Sequence, residues 1–578
     1  MESSICLLNA TATGTETLKN LVLPGCGNIT IIDPLNVTEN DLGNNFFVDP
    51  SYLGQPRSKA ALELLLEMND DVKGTYIQRS ITDIIQETPE YFHNFTLVIA
   101  TQLPTSTILQ LANILYPRNI PLLVIRSYGL IGYLRIIKAE HTIIESKLET
   151  ARPDLRIRHP WKELRQYVDN INLSTIDEMT HGHVPYVVLL IKALDLWRIS
   201  INSSTSTSTT STSDFVPSTN NLRYPSTFAE KKAFREILHN MRRGKTKVPG
   251  EEANFDEAEE NPYHAFAAPI VSSDTRKVLD DECATNLTDK SSNFWFIVRA
   301  IRDFVDHEGA LPLCPTLPDM TATSELYIQL QNLYSKKAEE DVQYIMNRIH
   351  ELRTNVGLST SNISIDDVRT ACRNAYALRV LRYRSYESEM NSSSPLNIHT
   401  QEKLLQELSN TIEEITDMGT ETGLDEDGNE LPVLKLAQQK PISWYLMLRA
   451  IDRFYDHHNY YPGTSTISSL SNTSNVSTNS NNNDKITVEA DSNEVWNNVL
   501  TIMNELNISS QPLSSLIINT KHAQEITRYG NSELHTIAAF MGGVASQEAV
   551  KLLTSQYLPF NNTFIYNGIA GTAGVMEL

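Results

Sequence analysis

The sequence predicts an α/β fold: a doubly wound, mainly parallel sheet with a large helical insertion. Three observations carry that expectation. Short apolar runs alternate with helix-sized amphipathic segments across residues 1–155, the pattern of successive βαβ units. Long helical periodicity then takes over. The closing residues return to a helix followed by a strand.

Residues 4–10 (SICLLNA) are a short apolar run with a turn behind it, the mark of a buried strand. Residues 15–23 (TETLKNLVL) read as a helix, capped by Thr13 or Thr15 and stopped by Pro24-Gly25. The β-branched run 28–33 (NITIID) is a second strand. An apolar-periodic helix follows at 57–68, then a strand at 97–100, a helix at 108–115 and a strand at 121–125. Beyond residue 155 the helices lengthen. One of them, 326–352, places apolar side chains at 326, 330, 333, 338, 342, 345, 349 and 352. At the far end, 535–553 (HTIAAFMGGVASQEAVKLL) is a helix whose small residues permit close packing, and 563–566 (TFIY) is a strand.

These elements assign 1–155 to the first part of an α/β domain, 156–505 to a mostly helical insertion, and 506–578 to the closing part of the same domain. The tracts 202–213 (NSSTSTSTTSTS) and 471–484 (SNTSNVSTNSNNND) offer too little apolar surface to fold and are expected to be disordered. The acidic stretches 251–260 and 421–430 read as solvated loops. One internal echo is visible: Phe294 to Pro312 matches Trp444 to Pro462 at a constant offset of 150 residues. Both copies read as helices that bury aromatics and finish at a proline turn, through either convergent packing or duplication.

Lys and Arg number 48 against 70 Asp and Glu, a net charge of −22. A nucleic-acid binder normally shows a basic face, so no nucleic-acid partner is expected. Apolar residues make up 40 %, enough for real cores. The longest apolar candidate, 184–197, is broken by Pro185, Lys192 and Asp195, whereas a membrane span needs roughly 18 to 20 residues. The five cysteines are odd in number, scattered and never spaced CxxC, so neither structural zinc nor a disulfide framework is expected. His457-His458 has no acid or thiol at a recognisable spacing and reads as a solvated pair, so no metal ligands are expected. A soluble, reduced, intracellular protein is the expectation.

A strand–turn–helix start invites nucleotide binding. That chemistry needs a glycine-rich turn, so that backbone can approach a phosphate at the helix N-terminus. Residues 9–16 (NATATGTE) keep only Gly14, and the added Cβ atoms crowd the phosphate path. Asp33 ends the second strand where a ribose-binding carboxylate belongs, although a strand-end Asp also caps turns. The turn is read as structural, with no cofactor-binding residue assigned.

The segments 15–25 (TETLKNLVLPG) and 29–33 (ITIID) resemble the ThiF-like adenylation domains of enzymes that activate ubiquitin and its relatives. The likeness continues through GNNFF at 43–47, ATQLP at 100–104, YGLIGYLRI at 128–136 and LPDM at 317–320. It closes with YLMLRAIDRF at 445–454, HTIAAF at 535–540 and NNTFIY at 561–566. Within that family the chain is most similar to the regulatory subunits of the heterodimeric neddylation activators. The resemblance implies a degenerate Rossmann-like fold carrying a catalytic-cysteine-like helical insertion.

The departures from active members matter most. Their N-x-N-R-Q-F segment carries an arginine for the triphosphate, where this chain has Gly43-Asn44-Asn45-Phe46-Phe47. Their magnesium-binding Asp is matched by Ala100-Thr101-Gln102, which offers no carboxylate to a hard cation. Their Y-D-R-Q-L-R-L-W-G-like segment ahead of the first strand has no counterpart here, so its arginine either lies outside this sequence or is dispensable. Cys314, in CPTLP, faintly echoes the C-T-x-x-x-P of the thioester cysteine, but the residue after it is Pro and no basic residue follows. Cys372 reads as a core residue, and Cys283 sits among Asp280, Asp281 and Glu282. No catalytic residue is therefore assigned.

By resemblance, ATP and magnesium belong to a catalytic partner subunit, and the modifier is engaged through the heterodimer, in cytoplasm and nucleus. Leu330, Asn332, Tyr334 and Lys337 resemble a family segment that touches the partner; an internal core helix is the competing reading. A scaffold serving another complex, or the regulatory chain of the related sumoylation activator, are the alternatives.

Overall fold

The computed structural model describes residues 3–146, 154–205, 223–244, 252–267, 271–359, 363–390, 402, 406, 441–464, 480–506 and 518–578. The chain divides into two compact units, one of Met1–His141 with Leu381–Leu578 and the other of Thr142–Val380.

In the first unit the strands are β1 (Ser4–Leu8), β2 (Asn28–Ile32), β3 (Lys73–Ile77), β4 (Leu97–Thr101), β5 (Leu122–Tyr128), β6 (Ile131–Ile137), β7 (Thr563–Asn567) and β8 (Thr572–Met576). They form one eight-stranded sheet in the order β8-β7-β6-β5-β4-β1-β2-β3. From β3 to β5 all neighbours are parallel, and β6, β7 and β8 add antiparallel pairs. Strands β4, β5 and β6 are buried at every residue, so apolar residues fill most positions on both faces instead of alternating, with Thr101, Arg126, Ser127 and Arg135 as the polar exceptions.

Helices cover both faces. On one side Ala12–Val22 packs against His535–Thr554, and Ile5, Leu7, Ile29, Leu123 and Met541 join one core. The two helices approach closely because residue 542 is Gly: a Cβ there would lie 2.8 Å from the Glu16 carbonyl carbon. On the other side Thr105–Leu115, Pro441–His458 and Thr520–Tyr529 pack on the sheet through Ile108, Trp444, Tyr445 and Ile526. Register places Leu8 opposite both Ile32 and Ala100. The carboxyl ends of β1, β2 and β4 therefore open on one edge, where ligands bind in sheets of this kind.

The second unit is helical. Tyr186–Thr205, Phe228–Asn240 and Ala253–Glu260 share a core with the first half of Ser324–Asn355. The second half of that 32-residue helix packs with Asn293–Glu308 and Ile365–Arg373 in another core.

Several expectations change. Helices Pro441–His458 and Ser480–Glu505, read from sequence as part of the 156–505 insertion, belong to the sheet-bearing unit, because Trp444, Tyr445, Val495 and Val499 bury against it. The two echoing segments thus serve separate units. Within the acidic stretch 251–260, Ala253–Glu260 is a helix, not a solvated loop. Phe255 and Ala258 bury one of its faces, and Glu257 accepts the Thr321 amide at 2.8 Å. Helix Ser480–Glu505 also begins inside the polar tract 471–484, while 206–213, 471–479 and the stretch 421–430 lie outside the described residues.

Candidate functional site

Strand β1 ends in a turn at Asn9, whose φ of 73° is left-handed, and helix Ala12–Val22 begins three residues later. A Cβ on Gly14 would sit 3.0 Å from the Asn9 carbonyl oxygen, the Leu7 side chain and the Thr101 hydroxyl. The one surviving glycine therefore serves close packing of helix on strand.

The polar side chains at the positions compared with nucleotide-binding members bond within the chain. Asp33 is fully buried. It accepts the Ala10 and Leu35 amides and the Arg57 Nε, each at 2.8 Å. Arg57 also reaches Asp41 at 2.8 Å and Asn9 at 2.7 Å. Burial raises the Asp41 pKa, but hydrogen bonds from Arg57 and Thr38 hold it below the ordinary value. Asn45 accepts from the Thr15 hydroxyl at 2.9 Å and donates to the Ala10 carbonyl at 3.2 Å. Thr101 donates to the Asn9 carbonyl at 2.6 Å, and Gln102 to the Ser127 carbonyl at 2.6 Å.

The helix N-terminus itself is filled from far along the chain. One carboxylate oxygen of Glu533, Oε1, accepts the Thr13 amide at 3.2 Å, the Thr11 hydroxyl at 3.0 Å and the Thr13 hydroxyl. An anion is favoured here by the unpaired amides and the helix dipole. Glu533 supplies it. A parallel bridge to Gly129 and a hydrogen bond from the Asn44 side chain, through Nδ2, to the Glu533 carbonyl fix the backbone of that residue. Burial pushes its carboxyl above the ordinary value, against the pull of the Thr13 and Thr11 bonds and the Arg57 charge. A carboxylate of the chain's own thus lies at the helix N-terminus, where folds of this kind place a phosphate. Sequence reasoning missed Glu533, which is 520 residues from Thr13 and carries no local motif.

The cysteines sit apart from this turn. Cys6 and Cys372 are core residues whose thiols burial pushes up. Cys314 is buried and Cys283 exposed. The four residues read as a partner-facing segment divide. Leu330 and Tyr334 are fully buried in their own unit, and the Tyr334 hydroxyl bonds the Leu155 carbonyl; as core residues they present no docking surface. Lys337 pairs with the buried Asp341 at 2.8 Å. Asn332 is exposed and lines an open cleft of about 490 Å³ with Gln166, Gln329 and Lys336. His457-His458 is not simply solvated, since Glu494 lies 2.8 Å from the His458 Nε2.

The mainly parallel sheet and its strand–turn–helix opening thus define a nucleotide-type α/β fold, with a carboxylate of the chain's own at the N-terminus of its first helix. Comparison with known proteins sets the family. The chain belongs to the ThiF family, whose model matches residues 1–577. It is 37 % identical over 577 residues to the NEDD8-activating enzyme E1 regulatory subunit of Xenopus laevis, covering 99 % of this chain and 94 % of that protein. It is 35 % identical over 580 residues to the NEDD8-activating enzyme E1 regulatory subunit AXR1 of Arabidopsis thaliana, covering 100 % and 93 %. The regulatory subunit of Caenorhabditis elegans is 31 % identical, covering 98 % and 93 %.

Proposed function

We propose that this chain is the regulatory subunit of a heterodimer that activates a ubiquitin-like modifier in the neddylation pathway. The observation that carries the reading is similarity to such subunits over nearly the full length of both partners. The closed turn supports a division of labour. With Glu533 on the helix N-terminus and Asp33 and Arg57 committed to each other, adenylation falls to the catalytic partner, which holds ATP, magnesium and the thioester cysteine. This chain then acts by binding.

A surface suited to binding borders the turn. Phe46 is 75 % exposed, its ring 6.4 Å from that of His535, and Leu534 beside it is exposed as well. Apolar side chains grouped in this way favour a protein partner. No helix among the described residues is long and apolar enough to cross a membrane. Cytoplasm and nucleus are the proposed compartments.

Reconstitution tests the reading. ATP–pyrophosphate exchange and modifier thioester formation are measured with this chain alone, the catalytic subunit alone, and both together. Robust activity is expected only from the pair. Turnover by this chain alone, or equal turnover by the catalytic subunit with and without it, would overturn the proposal.

A further inference from the structure

Helix Pro441–His458 ends in two histidines, and helix Ser480–Glu505 brings Glu494 to them. The His457 Nδ1 lies 3.2 Å from the His458 Nε2, which lies 2.8 Å from the Glu494 Oε1; that oxygen is 3.7 Å from the His457 Nδ1. Among the described residues these three are brought together with a ligand atom each.

Hydrogen bonding satisfies this arrangement poorly. If the His458 Nε2 gives its proton to Glu494, the His457 Nδ1 faces, at 3.2 Å, a nitrogen with no lone pair and no second proton. With the opposite tautomer, His457 donates to His458, and the Glu494 oxygen then faces a nitrogen lone pair at 2.8 Å. The 3.7 Å between His457 and Glu494 is too long for a direct bond. A divalent cation is a partner that all three lone pairs can share.

The spacing suits a particular cation. Zinc binds imidazole nitrogen and carboxylate oxygen at about 2.0–2.2 Å in a tetrahedron, which sets its ligand atoms about 3.3 Å apart. The observed edges of 3.2, 2.8 and 3.7 Å bracket that value. The His458 ring is held in place by Phe454 at 4.4 Å and Tyr460 at 5.4 Å. Both His457 and Glu494 face solvent, so water can complete the fourth position. Asp491, one turn before Glu494, adds negative charge while accepting the Gly463 amide at 2.8 Å. We infer that His457, His458 and Glu494 form a site for one divalent transition-metal cation, zinc by its donor set. Bound there, the metal clamps the end of helix Pro441–His458 to helix Ser480–Glu505. It also stabilises the unit in proportion to its occupancy.

The test is calorimetric titration of zinc chloride into the metal-stripped full-length chain, with cobalt(II) as a spectroscopic stand-in. One zinc per chain and the intense visible absorption of tetrahedral cobalt are expected. His458→Ala and Glu494→Gln should each weaken binding at least tenfold. Should His458→Ala perturb the fold, His457→Ala, at a more exposed position, gives the same readout. Cys283→Ser should bind as the parent does, which separates this site from the exposed thiol. Equal affinity in the parent and the histidine and glutamate variants, loss only in Cys283→Ser, or absence of stoichiometric binding would each overturn the inference.

Discussion

Glu533 decides what the first turn can do. Its carboxylate accepts one amide and two hydroxyls at the start of helix Ala12–Val22, a role a phosphate fills where such turns bind nucleotides. Because burial raises its folded pKa above the ordinary 4.5, the native state holds this proton more tightly than the unfolded chain does. Stability from this group is therefore complete below pH 4.5 and declines as pH rises toward the folded value. In Glu533→Gln that decline should vanish, so the gap between variant and parent narrows as pH falls; urea denaturation at several pH values reads it. Glu533→Ala leaves the Thr13 amide and hydroxyl without their acceptor and should cost about 1–3 kcal/mol. The sequence revealed half of this site. Asp33 was placed correctly at a strand end, but its bonds to Arg57 and the Ala10 amide were invisible, since each partner is more than 20 residues away. On helix Ser324–Asn355, helical spacing sets Leu330 and Tyr334 on the inward face and Asn332 on the solvent face, but the resemblance gave all four residues one role and so did not sort them.

Elements were legible where a fully buried segment is also an apolar run; β6, equally buried but carrying Gly132 and Arg135, was not read as a strand. Strands β1 and β4 and the first four residues of β5 are apolar runs because both faces are covered, and sequence alone located them to within a few residues. Strand β3 is almost wholly exposed, so nothing apolar announced it. Strand β8 alternates half-exposed and exposed residues until Met576 and was missed for a similar reason. The helices after residue 440 were assigned to the wrong unit because an apolar face does not say which surface covers it. What holds helix Pro441–His458 to the sheet includes a buried ion pair: Arg135 of β6 meets Glu389, whose other oxygen accepts the Tyr445 hydroxyl at 2.8 Å. Both charged side chains are fully buried. Removing one partner strands the other charge, and Glu389→Ala should cost about 3–5 kcal/mol, measured as a shift in the urea midpoint of the sheet-bearing unit. On the opposite face Gly542→Leu would force helices Ala12–Val22 and His535–Thr554 apart and lose about 1–3 kcal/mol.

For the whole molecule, the family was legible because its motifs recur from the first strand to the last, and full-length relatives bear it out. The fold is that of the ThiF family, and the function proposed above takes the Glu533 carboxylate as closing the first turn to nucleotide. Such a molecule contributes surface. Phe46→Glu, at a side chain that is 75 % exposed, should leave the fold intact and raise the Kd for the catalytic subunit by at least tenfold, about 1.4 kcal/mol, as read by analytical ultracentrifugation. The most direct test of a closed site is to count nucleotides: equilibrium dialysis of labelled ATP against the assembled heterodimer. One ATP per heterodimer, unchanged by Glu533→Gln, is the expected result. Two per heterodimer, or saturable binding to this chain alone, would contradict it.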